Sequence, residues 1–144
     1  MTITGRNKAE AYLRRIREMD WNLKRKRDEL DALRYKASGA GAIRYDKDHV
    51  QTSPQDFLSM AMDDIIKLEK QIDRDETTNE QEKGEAYAII RQMKNVDHRL
   101  VLEWYYLNGL SMVDTAEKVH MSERKTYDVR EEALEGFVQI FLDL

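Results

Sequence analysis

Apolar residues recur along the first quarter of the chain at seven-residue intervals. Ala9, Ile16, Leu23 and Leu30 share one phase, and Tyr12, Met19 and Leu33 share the other, with Lys26 standing among them. A pattern of this kind predicts a coiled-coil-like helix from Arg6 to about Tyr35. At ~1.5 Å per residue it runs roughly 45 Å. The turn formers Ser38-Gly39-Ala40-Gly41 end it, and residues 38–54 read as a loop. Ser53 then suits an N-cap and Pro54 the first position of a new helix.

A second heptad pattern follows. Leu58, Ile65, Ile72, Ala86 and Met93 hold one phase, and Ala61, Leu68, Ile89 and Val96 the other. Its middle is polar, with Asp75, Asn79 and Glu82 at core-phase positions inside DRDETTNEQEKGE. The phase is unbroken across that stretch, which favours one long helix over two separated near Thr77-Thr78. Two long helices joined by a loop pair antiparallel, because neither buries its stripe alone.

From Asp97 the periodicity shortens. Leu100, Val101, Trp104, Tyr105 and Leu107 form a dense helix that stops at Asn108-Gly109. Ser111, with Asp114 three residues on, resembles a capping box and opens a short helix through Val119. His120-Met121 is a turn. Ser122 caps a last helix bearing Val129, Ala133, Leu134, Phe137, Val138 and Phe141. The reading is all-α: a long antiparallel helical hairpin over residues 1–96, with its loop at 38–54, then a helix-turn-helix domain over 97–144. Ala116 stands where only a small side chain lets the second helix approach. The exposed polar set of that helix is read as Glu123, Arg124, Lys125, Thr126, Asp128 and Arg130.

Composition narrows the choices. The chain has 144 residues, no Cys, one Pro and a net charge of −4. Without Cys there is neither a disulfide framework nor a Cys-based zinc site. No run of about 18 apolar residues offers a transmembrane helix, and no apolar leader is visible at the start, so a cytoplasmic protein is the expectation. The net charge is a sum of opposing parts. Residues 1–37 carry eleven basic and six acidic side chains, residues 38–96 eight and twelve, and residues 97–144 five and ten. The basic excess includes Lys24-Arg25-Lys26-Arg27 on the first helix. A run like this is usually a solvated face, yet Lys24, Arg25 and Arg27 form a second candidate nucleic-acid contact.

The segment His98-Arg99-Leu100-Val101-Leu102-Glu103-Trp104-Tyr105-Tyr106-Leu107-Asn108-Gly109-Leu110-Ser111, followed by Thr115-Ala116, Ser122 and Tyr127, resembles sigma factor region 4. It looks closest to the ArpU-like family of phage and mobile-element transcriptional regulators. Ala11-Tyr12-Leu13-Arg14, the motif Val50-Gln51-Thr52-Ser53 and the long helix before the helix-turn-helix suit the same family. The resemblance implies a sigma-like, non-enzymatic regulator of a prophage or related element in a Gram-positive host, acting on late or packaging genes. Double-stranded DNA is the implied partner. Ser122, Arg124, Lys125, Thr126, Tyr127 and Arg130 are the implied contacts. RNA polymerase or another regulator is a second partner, and a homodimer through the hairpin a third.

Two other readings remain open. In one, the helix-turn-helix serves as a scaffold in a protein that binds a repressor or polymerase subunit through acidic surface. Alternatively, the chain is a small terminase-like packaging protein, which also joins a helix-turn-helix to an oligomerising coiled coil. Lys and Arg supply most non-specific DNA affinity, so a −5 segment is expected to bind DNA weakly by itself. Trp104, Tyr105 and Tyr106 read as core and rim rather than base-stacking groups, and the methionines as core filler or interface. Asp73, Asp75 and Asn79 resemble a calcium loop only loosely, since Thr78 and Gly84 occupy the places of the turn glycine and the bidentate Glu. Asp46, Asp48 and His49 read as a solvated loop. His49, His98 and His120 are scattered, and no catalytic triad, metal motif or phosphate loop is present, so neither enzyme activity nor a cofactor is expected.

Overall fold

The structure, a computed structural model, describes residues 3–39 and 54–143. The expected cap at Ser53, the Val50–Ser53 motif, the Asp46, Asp48 and His49 group and most of the 38–54 loop lie outside the described residues. Among the described residues five α-helices follow one another: α1 (Ile3–Ala37), α2 (Pro54–Ile90), α3 (Val96–Leu102), α4 (Met112–Val119) and α5 (Glu123–Phe141). α3 runs on into a π-helical turn, Glu103–Leu107. The all-α expectation is met, and the two long helices pack against each other. α2 is one helix through its polar middle. No helix among the described residues is long and apolar enough to cross a membrane.

By contact the chain divides into two compact units: Asn22–Thr77, and Met1–Trp21 with Thr78–Leu144. In the first, Leu23 and Leu30 of α1 are buried, as are Ala61, Ile65, Leu68 and Ile72 of α2. The heptads placed these residues inside; Leu58, which shares the phase of Ile65 and Ile72, is instead 46% exposed. Arg27 pairs with Glu76 and Arg34 with Glu69, so seven residues forward on α1 is seven back on α2, the mark of an antiparallel pair. Lys26, the charged intruder in the α1 stripe, meets Asp75, the charged intruder in the α2 stripe. Each would be a buried or half-buried charge without the other.

In the second unit the polar middle of α2 meets polar residues of α1 in the same way. Asn79 is buried, and its Nδ2 donates to Asp20 Oδ1 at 2.7 Å. Lys83 Nζ lies 2.7 Å from the same oxygen, and Arg15 pairs with Glu82 at 3.2 Å. A heptad slip toward the start of α1 would set Asn79 against Leu13 and Asp75 against Met19, and would lose the Asp20 and Lys26 partners, at about 1–3 kcal/mol for each buried polar atom left unpaired. The polar stretch is therefore a register device, of the kind a polar residue provides at a coiled-coil core position.

Most of the second unit's core is a single cluster. Ala9, Leu13 and Ile16 from α1 join Ala86, Ile89, Ile90 and Met93 from α2 and the connection that follows it. Leu102, Tyr106 and Leu107 come from α3 and its π turn, and Ala133, Leu134, Phe137 and Val138 from α5. Tyr12 stacks on Phe137 and packs at a tilt on Phe141. A smaller cluster, Val101, Val119 and Val129, with Leu100, Trp104 and Met121 at its edge, joins α3, α4 and α5. The aromatic run splits as its spacing implies: Tyr106 is in the core, and Trp104 and Tyr105 are half-buried. Among the methionines, Met93 and Met112 are buried while Met60 and Met62 are exposed.

Candidate nucleic-acid interface

Local capping chemistry fixes where α4 and α5 begin. Ser111 takes extended backbone angles and its hydroxyl accepts from Asp114 N. Ser122 does the same for α5, accepting from Lys125 N at 3.1 Å. Each cap satisfies an amide that the first helical turn leaves without a partner. Between them α4 closes on His120, which adopts the left-handed conformation at φ 57°. His120 N donates to Glu117 O and Met121 N to Ala116 O, the paired bonds of a Schellman ending. Ala116 is buried.

The start of α5 presents Arg124 and Lys125 to solvent, and neither side chain forms a hydrogen bond or ion pair among the described residues. Tyr127 is exposed beside them. Ser122 is exposed too, with its hydroxyl oxygen engaged by the cap. Thr126 corrects the expected exposed set. It is fully buried, and its hydroxyl donates to Ser122 O at 2.8 Å. The periodicity contained the signal, because Thr126 lies three and seven residues before Val129 and Ala133, on the core phase of the helix.

Arg130 is held rather than free. Its side chain is 19% exposed. The guanidinium lies 5.2 Å from the Tyr105 ring centre and 5.4 Å from that of Tyr127. Its Nε is buried without a partner. Burial pushes the phenol of neighbouring Tyr106 up to about 12, against the opposing pull of the Arg130 charge, so that hydroxyl keeps its proton.

The Tyr105 ring also receives a residue the sequence did not single out. Arg17 of α1 sits 4.0 Å from that ring and 5.0 Å from the Trp21 ring. Its Nη1 donates to Tyr105 O at 2.6 Å and to Leu110 O at 2.7 Å. Trp21 Nε1 donates to Gly109 O. Gly109 has φ 69°, a backbone angle that calls for glycine, and a Cβ there would stand in tight contact, 3.3 Å from Trp21 Nε1. Trp21, Arg17, Tyr105, Arg130 and Tyr127 thus form a continuous aromatic–cation series from α1 to α5.

The acids of α5 are partly neutralised. Glu131 pairs with Arg6 of α1, and Glu132 Oε2 lies 3.3 Å from His98 Nε2. The second basic set behaves differently in the other unit. Arg27 donates twice to Glu76 and Arg25 bonds Asn22, while Lys24 is exposed with no ion pair among the described residues. Much of the basic excess of α1 is therefore spent on acids of α2. Of the loose calcium-loop candidates, Asp75 pairs with Lys26 and Asn79 with Asp20. No group of three or more potential metal ligands occurs among the described residues.

Compared with protein families, curated proteins and solved structures, the chain matches none of them.

Proposed function

We propose that the chain is a DNA-binding transcriptional regulator of a prophage or mobile element, without enzyme activity. In this reading α4, its turn and α5 act as a sigma region 4-like helix-turn-helix, with α5 in the major groove. The observation that supports it most directly is the unpaired pair Arg124 and Lys125 on the exposed first turn of a capped helix. Ser122 and Tyr127 flank them as further contacts. Thr126 serves packing, and Arg130 holds Tyr127 in place. Lys24 is the member of the second basic set best able to reach a phosphate. RNA polymerase or another regulator is the protein partner.

The test is binding of the full chain to duplex DNA from upstream of its own gene across a salt series. Each phosphate contact contributes about −0.9 to the slope of log affinity against log salt. Lys125→Ala is expected to flatten that slope by about 1, and Arg124→Ala/Lys125→Ala to weaken binding further, while leaving helicity unchanged. Absence of binding at the lowest salt would defeat the proposal in favour of a protein-binding regulator acting through Asp128, Glu132 and Glu135.

The hairpin also supports self-association. Leu58, Met62 and Ile66 recur every helical turn along α2 and are each nearly half exposed, an apolar stripe of the kind that marks an interaction face. A dimer through this stripe would raise weak DNA affinity by effective concentration. Light scattering is expected to give twice the 17.1 kDa of the chain, and Met62→Glu/Ile66→Glu to give the monomer. A ring of many subunits would support the terminase-like reading instead.

A further inference from the structure

We propose that Arg124 and Asp128 act as a donor–acceptor pair that reads a guanine and a nearby cytosine in the major groove. The inference rests on the DNA-binding reading and goes on to say which bases α5 selects. Arg124 and Asp128 lie one helical turn apart on the face opposite Thr126, Val129, Ala133 and Phe137, and both are exposed. Their spacing would allow an ion pair between them. None is formed, and neither side chain has another partner among the described residues.

Asp128 is the acid of this region that the fold does not explain. Glu131 and Glu132 have basic partners, and Glu123 sits in the first turn, where the helix dipole favours a negative charge. Glu135 lies nearly two turns farther from the capped end. Asp128 stands one turn behind Arg124 on the face that would enter the groove. A carboxylate there is repelled by phosphates spaced about 1.7 Å apart along the duplex axis. It gains only by accepting from a donor on a base edge. In the major groove the partner that suits a carboxylate is the N4 amino group of cytosine, and the partner that suits the arginine fork is O6 and N7 of guanine. One helical turn rises ~5.4 Å and a base step ~3.4 Å, so the two contacts fall one or two steps apart. Lys125, on the flank of this face, is placed for a phosphate.

The experiment selects from a library of randomised DNA duplexes with the full-length chain. The wild type is expected to enrich duplexes sharing a guanine with a cytosine one or two steps away. Asp128→Ala should keep the guanine and lose about tenfold or more of the cytosine preference. It should also bind an unselected duplex more tightly, because a repulsive charge has gone. Asp128→Asn should move the preference from cytosine to adenine, whose N6 and N7 suit an amide. Arg124→Ala should lose the guanine. If Asp128→Ala enriches the same sequences as the wild type, Asp128 is a solvated charge and the inference fails. If the wild type itself enriches nothing, the DNA-binding reading fails, and that arm decides the matter without any variant.

Discussion

Residues 97–144 expressed alone are expected not to fold cooperatively. A cut at residue 97, where the sequence periodicity changes, removes Ala9, Leu13, Ile16, Ala86, Ile89, Ile90 and Met93 from the cluster that covers α5. Leu134, Phe137 and Val138 would then face water. Burial of a side chain of this size contributes about 1.5–3 kcal/mol, and a typical domain is stable by only about 5–15 kcal/mol in total. A piece of this length has too little core to absorb the loss. Circular dichroism should show a marked drop in helicity per residue and a broad, non-cooperative melt, where the full chain melts sharply. Residues 78–144 restore the α2 portion of the cluster but still lack α1. They should gain helicity when mixed with a peptide of residues 1–21. A sharp melt from 97–144 alone would show that α1 is dispensable to the unit.

That dependence marks the boundary of what periodicity could show. The heptads identified Leu23, Leu30, Ile65 and Ile72 because each helix meets a single neighbour there among the described residues, and one neighbour leaves one stripe. Near its start α1 belongs to a cluster with residues from α2, α3 and α5, and Leu13 is fully buried there although it lies outside both heptad phases. A stripe that widens from Ala9 and Ile16 to include Leu13 signals a second neighbour without saying which. The caps at Ser111 and Ser122 were legible because an N-cap is local, set by a hydroxyl and an amide three residues on. The polar middle of α2 was visible as a run but not as a match. Asp75, Asn79 and Glu82 find Lys26, Asp20 and Arg15 only once the register of the two helices is known. Thr126 misled because its residue type suggested a surface while its phase placed it in the core. The split in charge between the first helix and the second was legible, and its meaning followed from the ion pairs they form.

Arg17→Ala is expected to destabilise the protein by about 2–4 kcal/mol, through a contact no sequence pattern announced. The π turn makes the difference. Widening the helix at Glu103–Leu107 moves its closing bonds, so that Asn108 N reaches back five residues to Glu103 O. Arg17 supplies a donor to the carbonyl of Tyr105 within that turn and to Leu110 just before α4. Removing it leaves two part-buried acceptors short of a charged donor, at about 1–3 kcal/mol each if water cannot replace it. The cation over the Tyr105 ring adds about 0.5–2 kcal/mol. The carbonyls are not fully sealed, which brings the net effect below the sum of these terms. For a chain of this size the melting temperature should fall by roughly 10 °C. Arg17→Lys separates the parts: the shorter lysine carries three donors on one nitrogen but has no planar group to lie on the Tyr105 ring while it reaches the carbonyls. It should recover less than half of the loss. Hydrogen exchange should localise the damage to Leu110 N, which bonds Trp104 O, and to the start of α4. A loss under about 1 kcal/mol would mean that water replaces the guanidinium, and that the π turn holds its shape without α1.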